Sequence, residues 1–242
     1  MRELDRALRA AGTPARAKSE KAYLKSDLRF YGASLPEVRR VAADYTRAHP
    51  DLDRRALRSL AEAAYATDVH DLRSVAIAIL ERRARVLEPR DLPWLLDLVD
   101  SSNTWAHVDW LAINVIGDVV GRYPSSRRAL PRWARRRNFW VRRTALLAQH
   151  DQLKSGHGDW ALFVRLADGM VGETEFFIRK AIGWVLREVS KKQPARVYEY
   201  LRPRRDRVSG LTLREGAKYL SDTQRRALGL GPWRDREGRR YR

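Results

Sequence analysis

Residues 175–192, EFFIRKAIGWVLREVSKK, carry two stripes at helical spacing. Ile178, Ile182, Val185 and Val189 recur every three or four residues, the period at which an α-helix returns side chains to one face, and so form an apolar stripe for a core. About a third of a turn away, Phe177, Lys180, Trp184, Arg187 and Lys191 form a second stripe that is aromatic and basic. The same core pattern recurs in residues 101–118, SSNTWAHVDWLAINVIGD, through Val108, Leu111 and Val115, and continues to Val119 just beyond. Helical stretches are predicted to begin near Asp71, Trp105, Trp140, Phe177 and Leu213, at spacings of 34 to 37 residues. Further helices are predicted around 92–99, 128–135, 160–167 and 195–201, so each unit reads as a helix pair punctuated by proline. Such pairs cannot bury their apolar faces alone and stack on one another, which predicts an all-α, HEAT-like helical-repeat solenoid with a basic concave face. Residues 1–70 hold more helices, including one predicted over 21–30, before a glycine turn and Pro36. A single repeat domain is expected over 1–228, followed by a basic, mobile tail over 229–242, GLGPWRDREGRRYR.

Composition narrows the function classes. The chain has 242 residues and is 44% hydrophobic, enough for a core without staples. Cysteine is absent, which removes disulfides, thiolate metal sites and thiol nucleophiles. No stretch is apolar enough to cross a bilayer and none reads as a secretion signal, so a soluble, cytoplasmic protein is expected, with no membrane contact. The formal charge of +19 favours a polyanionic partner. Nucleic acid leads, with an acidic membrane surface or acidic protein as competitors. Arginine outnumbers lysine 41 to 8, which suits bidentate phosphate contacts, although a compositional bias of the genome gives the same excess.

Three places could carry chemistry. Trp184 stands among phosphate-binding cations, as on a nucleic-acid surface, or closes the edge of the core beneath snorkelling cations. Trp105 and Asp109 are four residues apart and share a helix face. Asp109 either pairs with an arginine or is retained for a purpose, since an uncancelled carboxylate in a DNA-binding surface costs affinity. In residues 138–150, NFWVRRTALLAQH, Trp140, Arg143, Leu147 and His150 share a face, and Arg142 and Arg143 near the helix start offer a phosphate dock or a solvated pair. The five histidines form no metal-binding pattern, and His107, two residues before Asp109, faces away from it as a structural residue. There is no Walker loop, GxGxxG or GxSxG. Metal-independent hydrolysis using one carboxylate is the remaining enzymatic option, and neither cofactor nor metal is expected.

At these residues the sequence resembles the AlkD-type alkylpurine DNA glycosylases, a HEAT-like repeat family of DNA alkylation repair proteins. The resemblance rests on EFFIRKAIGWVLREVSKKQP, on Trp105–Ala–His–Val–Asp109, on Trp140–Val–Arg–Arg143, on AYLKSDLRFYG with Pro36 and Arg39 following, and on SGLTLREGAKYL, in the family's order over most of 20–222. It implies that Trp105, Asp109 and Trp184 form the catalytic cleft, that Arg143 holds the DNA backbone beside the lesion, and that Tyr23 is an aromatic near the cleft. Arg142, Lys180 and Arg187 are expected to add DNA contacts. Thr104 stands where the family has a second tryptophan and Ala106 where it has an acid, which bears on substrate range. The implied activity is hydrolysis of the N-glycosidic bond of cationic N3- or N7-alkylated purines in double-stranded DNA, by a monomer that grips the lesion's backbone without enclosing a flipped base. The alternative is a non-catalytic protein of the same architecture that binds damaged or branched DNA.

Overall fold

The computed structural model describes residues 1–233, and its chain forms two compact units, Met1–Ser126 and Arg127–Arg242. Among the described residues the structure is all-α, with one isolated pairing of extended backbone, Arg29 to Val69.

In the first unit, α1 (Arg2–Ala11), α2 (Pro14–Leu24), α3 (Leu35–Ala48) and α4 (Arg54–Tyr65) precede α5 (His70–Arg82). Residues 72 and 75–80 of α5 are nearly inaccessible, and α3, α4 and α1 pack around it. α6 (Leu92–Asp100) follows, then α7 (Trp105–Trp110), which runs through a π-helical turn, Leu111–Ile116, into α8 (Gly117–Arg122). Starts are marked by side chains that satisfy the unpaired amides of a first turn. Ser34 and Glu37 form a reciprocal capping box on α3, and Asp53 caps α4.

The expected helix over 21–30 is only half present. α2 ends at Leu24, Lys25 turns left-handed at φ 49°, and residues beyond it run extended. Two long-range acceptors outcompete the helix. The Arg29 amide donates to Asp68 O at 2.8 Å, while the buried Asp71 carboxylate accepts from the amides of Tyr31 and Ala33 at 2.8 and 2.9 Å. Ser26 completes the stop by accepting from the Leu28 amide.

In the second unit, α9 (Leu130–Trp133) and α10 (Phe139–Leu147) precede α11 (His150–Ser155), α12 (Trp160–Met170), α13 (Phe176–Ser190), α14 (Pro194–Leu201), α15 (Gly210–Gly216) and α16 (Asp222–Ala227). The long α13 is the hub, packed against α10, α11, α14 and α15. Its predicted stripe of Ile178, Ile182, Val185 and Val189 is buried, as is the stripe of Val108, Leu111, Val115 and Val119 in the first unit. α5, α7, α10, α13 and α15 begin at His70, Trp105, Phe139, Phe176 and Gly210, each within three residues of its predicted start. The first residues of the expected tail are held by the Arg225 guanidinium, which donates to Gly231 O at 2.8 Å, and by the Lys218 ammonium over the Trp233 ring. The rest of that tail lies outside the described residues.

Candidate active site

Trp105 opens α7, and the Thr104 hydroxyl caps the helix by accepting from the Ala106 amide at 3.4 Å. Thr104 is buried, so where the family resemblance expects an indole this chain uses a small capping residue. Asp109 follows one turn later on the same face, and both it and Trp105 are half-buried. Tyr23, at the end of α2, is 73% exposed and meets the Trp105 ring edge to face, with centroids 6.0 Å apart and planes at 84°. Three of the predicted residues of the first unit thus form one aromatic and acidic patch.

The other faces of α7 fix its orientation. Trp110 donates its indole N–H to Glu81 Oε2 at 2.8 Å, Asn114 donates to Glu81 Oε1 at 3.0 Å, and the Arg39 guanidinium lies over the Trp110 ring. His107 points inward, as expected of a structural residue. It is fully buried, its Nε2 lies 3.0 Å from Ser74 Oγ, and its ring stacks on His70 at 4.4 Å. His70 in turn stacks on Phe30, also at 4.4 Å. Burial pushes the His107 imidazole well below its usual value and, with the charge of Arg73, pushes His70 down to about 4. Both rings are therefore neutral near pH 7. The π-helical turn right after Trp110 was not legible in the sequence. A π turn inserts an extra residue and re-aims the side chains before it relative to those after it, a device frequent at functional sites.

The second unit holds the remaining predicted residues. Trp184 on α13 is half-exposed, and its ring tilts against the buried His150 at 4.9 Å. His150 Nδ1 lies 2.8 Å from Asp151 Oδ1. Arg143 on α10 is only 3% exposed; its guanidinium donates to the Phe177 carbonyl and sits over the Phe177 ring. The whole face of Trp140, Arg143, Leu147 and His150 is buried, so in this structure it holds α10 and α11 onto α13. Arg142 forks Glu173 at 2.9 and 2.7 Å and also donates to the carbonyls of Arg136 and Arg137.

Lys180 and Arg187 do line one half-exposed face of α13 with Trp184, yet both are tied to one carboxylate that sequence reasoning did not single out. Glu215 on α15 accepts from Lys180 Nζ at 2.8 Å and from Arg187 Nη1 at 2.5 Å. Burial opposes the ionisation of Glu215, but the Lys180 hydrogen bond and the charges of Arg187, Lys180 and Lys218 outweigh it and hold the carboxyl below its usual range. The close approach that brings Glu215 there depends on Gly183, where an added Cβ would stand 2.7 Å from Glu215 Cβ. Chemically, the first unit offers a carboxylate beside aromatic faces, and the second an indole among cations whose positions are set by Glu215.

Comparison with known proteins places this chain. Residues 4–220 match the family model of the DNA alkylation repair enzymes. Among solved structures, a predicted DNA alkylation repair enzyme from Enterococcus faecalis matches with a TM-score of 0.76 and 27% identity, over 87% of this chain and 97% of that one. AlkD2 from Streptococcus mutans shares the helical-repeat fold at a TM-score of 0.61 and 19% identity, over 85% of this chain and 99% of that one. No curated protein is a significant match. With nine-tenths of its length inside the matched region, the chain belongs to the DNA alkylation repair enzyme family.

Proposed function

We propose that this protein is a DNA glycosylase that hydrolyses the N-glycosidic bond of cationic N3- or N7-alkylated purines in duplex DNA. The observation that carries the reading is Asp109, held one helical turn from the half-exposed Trp105, whose ring is met edge to face by Tyr23. Alkylation at N3 or N7 leaves the purine positively charged. When its C1′–N9 bond breaks, the electron pair stays on N9 and the base departs neutral, so no general acid is required. Positive charge moves to the deoxyribose at that moment. Asp109 supplies the complementary charge and orients a water, whose oxygen bonds to C1′ while its proton passes to the carboxylate and on to solvent, leaving an abasic sugar. Trp105 presents a ring face to the developing cation, contributing about 0.5–2 kcal/mol, and Trp184 offers an indole to the DNA among the cations of its own unit. Lys180 and Arg187 hold backbone phosphates, with Tyr23 beside the lesion, and Arg142 and Arg143 keep their section of the second unit in place for that contact. A carboxylate and ring faces that grip the sugar need no pocket around the base, so bulky adducts are accepted as well as methyl groups, and the protein acts as a monomer in the cytoplasm.

The test is release of free 7-methylguanine or 3-methyladenine from methylated duplex DNA, comparing the native chain with Asp109→Asn. The variant is expected to lose about 10²–10⁴-fold in rate, the range for a positioned proton acceptor. Melting temperatures measured alongside separate lost chemistry from lost fold. A native chain that binds duplex but releases neither base is the non-catalytic binder instead, and equal release by both forms removes Asp109 from the mechanism.

A further inference from the structure

Between Asp118 and Asp151 the chain holds nine arginines and no carboxylate. Five of them, Arg128, Arg132, Arg135, Arg136 and Arg137, fall within ten residues and all are exposed. Among the described residues none of these five is in an ion pair. The cations named for the candidate site differ in this respect, since Lys180 and Arg187 share Glu215 and Arg142 is committed to Glu173.

The backbone beneath the five is fixed. Leu130 and Trp133 are buried and root α9, while the amides of Ala134, Arg135 and Arg136 bond back to Leu130, Arg132 and Trp133 at 2.9, 3.3 and 3.1 Å. Arg142 then clamps the loop from below. Its Nη1 takes the carbonyls of Arg136 and Arg137 at 2.8 and 2.7 Å while its other nitrogens fork Glu173, so four of its five N–H groups are used on structure. Glu173 is itself held, because its carbonyl accepts from Arg179 Nε at 2.7 Å. With the carbonyls of Arg136 and Arg137 turned toward the clamp, the guanidinium groups of the loop project into solvent.

Five like charges on an ordered support repel one another unless a polyanion relieves them. All five are arginines, whose planar forks match phosphate oxygens two at a time. The phosphates of a duplex are regularly spaced and unprotonated, and the order already built into this loop reduces what binding must pay in entropy.

We propose that Arg128, Arg132, Arg135, Arg136 and Arg137 form a phosphate-binding platform that grips the sugar–phosphate backbone of duplex DNA, independent of sequence and of damage. The proposal rests on the reading that this protein acts on DNA. It adds a surface that the residues of the candidate site do not include.

The experiment measures affinity for an undamaged duplex as a function of salt, for the native chain and for the triple variant Arg135→Ala, Arg136→Ala, Arg137→Ala. Each phosphate contact contributes about 0.9 to the slope of log affinity against log salt, so the slope is expected to shrink by about 2–3. A control triple, Arg165→Ala, Arg202→Ala, Arg207→Ala, removes the same charge from exposed positions elsewhere in the unit and is expected to leave the slope nearly unchanged. Lysine at 135, 136 and 137 is expected to keep the slope with a modest loss of affinity. Equal losses from the two alanine triples would reduce the platform to bulk charge and overturn it. So would a lysine variant as impaired as the alanine one, or arginine-dependent binding to phosphatidylserine vesicles with none to duplex. Because the DNA carries no lesion, a chain that releases no alkylated base yet shows the expected slope difference sinks the glycosylase reading and leaves the platform standing.

Discussion

Tyr23 and Trp105 meet edge to face, but they stand in very different surroundings, and this separates what their removal does. Tyr23 is 73% exposed, so Tyr23→Ala is expected to change stability by no more than about 0.5 kcal/mol, the usual range for a surface site. Trp105 is half-buried, and a ring face worth about 0.5–2 kcal/mol at the reacting sugar corresponds to about a 2- to 30-fold slower base release in Trp105→Ala. Trp105→Phe should recover part of that loss. Single-turnover release rates and melting temperatures on the three variants check both statements, and a Trp105→Ala chain that is less stable but fully active would make the indole a packing residue only. Arg143 shows the limit of reading single residues. Its helix face was legible from spacing, but its bond to the carbonyl of Phe177, 34 positions away, was not, because backbone carbonyls leave no mark in a sequence. The same holds for Lys180 and Arg187, whose shared partner Glu215 comes from another helix.

At the scale of elements, the repeating helix pairs were legible because burial along a helix recurs with a local period, and α13 shows this most directly. Its core stripe and its aromatic, basic stripe both fall where the spacing puts them. What spacing does not carry is contact between elements. Gly183 lies inside a strong helical pattern, yet α13 and α15 approach closely there, with a notional Cβ 2.7 Å from Glu215 Cβ and 3.3 Å from Thr212 Cα. Alanine would gain about 1 kcal/mol of helix propensity, but overpacking against the root of a neighbouring side chain costs about 1–3 kcal/mol. The crowding wins, because neither neighbouring atom is the free end of a flexible chain. Gly183→Ala is thus expected to be destabilised by up to about 2 kcal/mol, a fall of up to about 8 °C in melting temperature. It should also weaken duplex binding by displacing Glu215 from Lys180 and Arg187. A variant as stable as the native chain would mean that the two helices can separate without cost. The shortened α2 fails to be legible for the same reason as Gly183, since the carboxylate of Asp71 that stops it lies about 40 residues downstream.

For the whole molecule the governing quantity is charge, and acid acts on it in two separable ways. His70 and His107 are buried and stacked on each other, and both are held neutral by burial, with His70 pushed down to about 4 from an ordinary 6.5. Between those values the unfolded chain binds more protons than the folded one, so stability rises with pH through this window. The contribution is fully present above about pH 6.5 and is lost as pH falls toward 4; for His70 alone it is about 3 kcal/mol. A second limb lies lower. Glu188 and Glu215 are held below the usual carboxylate range by their cationic partners despite burial, so their contribution persists to lower pH and disappears as they protonate. That protonation also removes the acids that offset 49 lysines and arginines, and the self-repulsion of a chain already at +19 grows. Salt distinguishes the limbs. Screening shortens the reach of repulsion from roughly 10 Å at 0.1 M to about 3 Å at 1 M, but it does little for an imidazole that has no water around it. Urea unfolding is therefore expected to show a loss of stability between about pH 6.5 and 4 that added salt does not repair, and a further loss below it that salt partly does. Replacing His70 with phenylalanine, which continues the stack from Phe30 to His107, should shrink the upper limb by the share of His70, keep the share of His107, and leave the lower limb. A native chain equally stable at pH 7 and pH 5 would show that these imidazoles are not held neutral, and that the stack beneath α7 tolerates charge.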